Sequence, residues 1–206
     1  KPFGVSGVMV VCNSFVKFST AYTDRDGYYS MEKAFSTDVR YRLVFKNEKG
    51  FGIGLNLILL PASVSTLGKA GPEGVTMTIT EDSDEKLFKR CVVNNAAYDY
   101  YSRCVTGDMG IAAPPSDLRI WLFYNLEASS AVMLHHGTIL ESDLIGKYLG
   151  IYTDLIRVFL PDITLGVKGK DSYRDLYDTT CHELAHASHF TKAGRDFWNR
   201  YIFYIM

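Results

Sequence analysis

Thr179-Thr180-Cys181-His182-Glu183-Leu184-Ala185-His186-Ala187 holds two histidines four residues apart, with a glutamate directly after the first. The surrounding composition favours a helix, and Asp175 and Asp178 suit its first turns. On a helix, residues four apart lie one above the other. The two imidazoles can therefore converge on one Zn²⁺ at about 2.0–2.1 Å, while the neighbouring carboxylate faces the open side of the ion. A carboxylate so placed can take a proton from an activated water and pass it to a leaving amine. The product of His and Glu frequencies over some 200 windows gives roughly half a percent for a chance H-E-x-x-H, so chance is a poor explanation. Cys181 projects about 100° away from His182 and reads as a buried thiol.

Working backward, Asp82-Ser83-Asp84 caps a helix expected to run to a stop at Gly107. Beyond it, Leu118 to Tyr124, Ala131 to His135 and Ile163 to Val167 read as strands, with a helix expected over Asp143 to Phe159. After the motif, Phe197 to Met206 reads as a helix that stops in mid-pattern.

The first third differs. From Val5 to about Thr80 it is rich in Val, Thr, Tyr and Phe, broken by Gly and Asp, and predicts short antiparallel strands. Its clearest turn is Thr23-Asp24-Arg25-Asp26-Gly27, in which Asp24 and Asp26 are turn residues, followed by Tyr28 to Met31 as the next strand. Arg40 to Phe45 then alternates as a strand should. The change of character at Thr80/Glu81 marks the expected domain boundary.

With 22 Lys plus Arg against 23 Asp plus Glu, nothing draws the whole chain toward nucleic acid. The pairs Lys89-Arg90 and Lys168 to Lys170 read as solvated surface. The most apolar stretch, Ile53 to Leu60, is too short to cross a bilayer, so no transmembrane segment is expected. The four cysteines match neither a zinc ribbon nor a redox pair. Cys91 and Cys104 on one helix stand about 20 Å apart, so free thiols are expected. His135 and His136 read as a surface turn ending at Gly137, and the aromatic set around Trp198 as core.

Two resemblances add to this reading. Gly7-Val8-Met9-Val10, Thr23-Asp24-x-Asp-Gly27-Tyr28-Tyr29 and Tyr41-Arg42-Leu43-Val44-Phe45 resemble the transthyretin-like or carboxypeptidase-regulatory-like β-sandwich. His182, Glu183 and His186, with Thr179 three before the first histidine, resemble the zincin zinc peptidases. Ser188 departs mildly from the hydrophobic position of their extended signature. The metzincin positions for Gly and a third His are held by His189 and Lys192, so that branch does not fit; the gluzincin branch needs a later Glu, and none follows Glu183. A catalytic zinc takes three protein ligands. Three sources are open for the third: sequence beyond Met206, which the interrupted final helix favours, Asp196, or His189.

The expected fold is thus α+β, with a transthyretin-like β-sandwich over residues 1–80 and a zincin-like metallopeptidase domain, apparently truncated at its C-terminus, over 81–206. The expected function is hydrolysis of peptide or protein substrates by zinc-activated water, with His182 and His186 as zinc ligands and Glu183 as general base. The alternative is a non-catalytic surface binding or adhesion protein on a degenerate zincin scaffold. By resemblance the protein is secreted or a lipoprotein, extracellular, periplasmic or at the cell surface, with a lipid anchor upstream of residue 1 and no nucleic-acid partner.

Overall fold

The computed structural model describes residues 3–54, 62–136, 160–170 and 172–205. The helix expected over 143–159 and most of the apolar stretch 53–60 lie outside them.

The N-terminal strands are β1 (Met9–Ser14), β2 (Lys17–Tyr22), β3 (Val39–Val44) and β5 (Val64–Ala70), hydrogen-bonded in the order β2-β1-β3-β5, all antiparallel. Alternation decides their faces: Val8, Val10, Cys12, Val39, Tyr41 and Leu43 are buried, while Arg40 and Thr20 face out. The Asp24 turn forms as expected. Its Oδ1 accepts from the Asp26 and Tyr28 amides, and Gly27 takes φ 86°. Tyr28 to Met31 is not the next strand; Tyr29 leaves the sheet edge and its hydroxyl exchanges hydrogen bonds with Val75.

The second sheet has the order β4-β6-β8-β7, built from β4 (Gly52–Ile53), β6 (Arg119–Phe123), β7 (Ser130–Ala131) and β8 (Ile163–Gly166). β4, β6 and β8 run parallel and β7 lies antiparallel at the edge. β4 precedes the expected boundary at Thr80/Glu81 in the chain yet belongs to this second sheet. Among the described residues, 3–80 therefore contribute one four-stranded sheet and one strand of the other. The strand expected over 131–135 ends early. Met133 takes φ 64°, which ends the extended run, and its amide bonds the Asp162 carbonyl immediately before β8.

Helix α1 (Glu85–Val105) begins at Asp84, whose carboxylate accepts from the Leu87 amide, as the sequence predicts. Helix α2 (Tyr173–Ala193) is capped by Ser172, and Gly194, at φ 84°, separates it from α3 (Arg195–Ile205). One hydrophobic cluster runs from Val10 and Tyr41 in the first sheet through Val92 and Val93 on α1 and Leu165 in β8 to Leu184 on α2 and Trp198 on α3. The N-terminal segment is tied to α1 as well. Asn95 accepts from the Ser6 amide and donates to the Gly4 carbonyl, and Asn94 donates to the Ser6 carbonyl. Gly7 packs so closely there that a Cβ would fall 2.4 Å from the Tyr98 ring.

Lys89 does not lie on the surface. It is 3% exposed, and its ammonium is held by Glu85 at 2.7 Å and the Val167 carbonyl at 3.2 Å. An amphipathic stem with two acceptors at its head lets a cation sit against the core.

Candidate metal centre

Helix α2 buries Leu176, Thr180, Glu183, Leu184, Ala187 and Ser188, a spacing of four, three, one, three and one that forms one stripe. This stripe faces α1. The Tyr100 hydroxyl meets Ser188 Oγ at 3.1 Å, and Tyr177 donates to Asp99 at 3.0 Å. Ser188, the departure from the extended signature, is thus a buried hydroxyl with a partner.

The helix presents His182 and His186 on the adjoining face. Their Nε2 atoms are 3.2 Å apart and their rings stand nearly perpendicular, with centroids 4.9 Å apart. Two nitrogens bound to one zinc at about 2.05 Å with a tetrahedral angle lie about 3.3 Å from each other, so the pair has the spacing such an ion requires. Burial, with His182 and His189 nearby, lowers the His186 pKa and keeps that ring in the neutral form that ligates. The fit of the two histidines to zinc therefore rests on their spacing and, for His186, on its lowered pKa.

Glu183 is 6% exposed, and among the described residues no side chain hydrogen-bonds its carboxylate. Burial raises its pKa, partly offset by the charge of His182. A carboxylate raised in this way is a stronger base than an exposed one.

Among the described residues, no third His, Cys, Asp or Glu joins the pair to complete a metal-binding group. His189 instead lies among aromatic rings, 5.4 Å from Trp198, 5.7 Å from Phe197 and 6.1 Å from Tyr201. Asp196 is exposed in the first turn of α3. Trp198, 1% exposed, closes the far side, 6.5 Å from the His186 ring, with its indole N–H on the Val132 carbonyl. Cys181 is half-buried, and burial with Asp178 and Asp99 pushes its thiol up to about 11, which makes it a poor ligand. All four cysteines are free, as expected.

A second polar cluster was missed in the sequence. His136 Nδ1 lies 2.8 Å from Asp162 Oδ1, and its Nε2 lies 3.2 Å from Asp117, which also meets His135 at 3.7 Å. Asp162 is fully buried and accepts from the Arg119 and His136 amides as well. The turn at 134–136 is as expected, but its histidines are partly buried and held by carboxylates rather than free on the surface. Only the residue pattern Asp162-Ile163 at the start of a buried strand could have hinted at it.

Comparison with family models, with curated proteins and with solved structures finds no match to this chain. No helix among the described residues is long and apolar enough to cross a membrane.

Proposed function

We propose that the protein is a zinc-dependent peptidase in which His182 and His186 hold the metal and Glu183 is the general base. The observation that carries this reading is the 3.2 Å approach of the two Nε2 atoms beside a largely buried glutamate that has no hydrogen-bond partner among the described residues. A structural histidine pair needs no such neighbour. Burial raises the Glu183 pKa, which suits a proton-transfer role. Zinc at this site supplies polarisation of the scissile carbonyl and activation of water. Glu183 accepts the proton of the attacking water and delivers it to the departing amine. The α1 and α2 packing holds the helix, and Trp198 walls the His186 side.

On this reading, residues 81–206 are a zincin-like catalytic domain and the N-terminal sheet is a transthyretin-like appendage of a secreted or surface-anchored protein. The third protein ligand comes from outside the described residues. Metal analysis of the purified protein tests the proposal. About one zinc per chain is expected in wild type and in Glu183→Gln, with peptide hydrolysis lowered about 10²-fold or more in the variant. Zinc retained by His182→Ala/His186→Ala, or hydrolysis in Glu183→Gln close to the wild-type rate, removes the assignment. A zinc-free wild type that still binds surface ligands supports the adhesion alternative.

A further inference from the structure

The β1–β2 hairpin turns through two residues, Phe15 and Val16, between the paired Ser14 and Lys17. Phe15 is 100% exposed and Val16 is 96% exposed, and Phe18 behind them is 60% exposed. Phe15 also has φ 49°, a left-handed conformation that Gly or Asn takes readily and a bulky aromatic does not. The tip therefore breaks two local rules at once: an apolar side chain stands fully in water, and it does so on strained backbone. Neither folding nor packing accounts for the choice of residue.

The strands behind the tip are unusual in charge. β1, β2, β3 and β5 together carry Lys17, Arg40, Arg42 and Lys69 and no acidic residue, in a chain of net charge -1. The register puts Phe18, Asn13, Arg40 and Lys69 in one row across the outward face, with Arg42 bonded to Asn13 at 2.6 Å. Lys33 lies 5.1 Å above the Phe18 ring, and Lys17 lies 4.9 Å above Phe35. Glu32 and Asp38, in the loop between β2 and β3, form no ion pair with these cations among the described residues.

We propose that this end of the N-terminal sheet is a membrane-docking surface, in which Phe15, Val16 and Phe18 enter the interfacial region of a bilayer while Lys17, Lys33, Arg40 and Lys69 meet anionic lipid headgroups. A two-residue convex tip offers far less than the area a protein partner needs, whereas a bilayer takes up a narrow wedge and rewards cations at its base. The inference is independent of the peptidase reading, since it uses none of the residues of α2.

Co-sedimentation with vesicles tests it. The protein is expected to bind vesicles of phosphatidylcholine and phosphatidylserine in equal parts, and phosphatidylcholine vesicles much more weakly. Phe15→Asn/Val16→Ser should lower partitioning about tenfold or more, with no loss of thermal stability because Asn relieves the left-handed strain. Arg40→Gln/Lys69→Gln should lower it about fivefold per charge removed at low salt, with a flatter salt dependence. Absence of binding by wild type would overturn the proposal. So would a tip variant that binds as tightly as wild type, which would reduce the surface to a general polyanion binder.

Discussion

The two histidine pairs of this chain have nearly the same internal geometry and opposite surroundings. His135 and His136 stack edge to face with ring centroids 5.2 Å apart at 81°, and His182 and His186 with centroids 4.9 Å apart at 82°. The first pair is embraced by carboxylates. Both ring nitrogens of His136 are engaged by Asp162 and Asp117, and although burial works against the charged ring, the hydrogen bond and charge of Asp162, joined by Asp117, raise its pKa. Among the described residues, the second pair has no carboxylate on its rings. Its Nε2 atoms face each other, and burial keeps the His186 ring neutral. Ring proximity alone therefore says little about role; carboxylate acceptors raise the pKa of His136, while burial lowers that of His186.

The sharpest way to break this contrast is Glu183→Gln. Hydrolysis should fall by about 10²–10⁴-fold while zinc content stays unchanged, read by turnover and by metal analysis of one preparation. The same variant should raise the melting temperature of the metal-free protein at neutral pH. A carboxylate whose folded pKa is raised contributes stability below its unfolded pKa and loses it as pH rises through the folded value, so the ionised group at pH 7 opposes folding. A fall in melting temperature would show that Glu183 has a stabilising partner.

His136→Ala leaves the buried Asp162 carboxylate with backbone donors alone. It should cost about 2–4 kcal/mol, read as a drop in melting temperature, with zinc content unaffected. Loss of zinc in that variant would merge the two pairs into one functional unit and end the comparison. The pH dependence refines it. Because the folded pKa of His136 is raised, its contribution is complete below about 6.5, the ordinary histidine value, and is lost as pH rises through the folded value. Wild type should therefore lose stability across that window and His136→Gln should not, as measured by chemical denaturation at a series of pH values.

The smallest expected effect sits away from both pairs. Asp84→Ala removes the cap of α1 and should cost about 1 kcal/mol, equivalent to about 2–4 °C for a chain of this size. A much larger loss would mean that the two sheets depend on α1 for more than its packing.

The elements most legible in the sequence are those governed by local chemistry. Asp84 and Gly107 bracket α1, Asp24 and Gly27 form their turn, and the H-E-x-x-H spacing puts His182 over His186 on one helical face, because capping, turn formation and a period of 3.6 act between residues a few positions apart. Where such signals compete with distant partners, the distant partners win. Tyr28 to Met31 has strand composition but follows Tyr29 to Val75, 46 residues on, and Lys89 has a surface composition but is buried under the Val167 carbonyl.

Sequence alone therefore determined the α+β character, the helices α1, α2 and α3, and the identity of the candidate metal-binding face. Tertiary structure decided that Gly52–Ile53 crosses into the second sheet, that Asp162 recruits His136, and that Glu183 is largely buried against α1. The physical reason is range. Propensity, capping and helical periodicity are written within a few residues, whereas burial and carboxylate pairing depend on segments that meet only when the chain has folded.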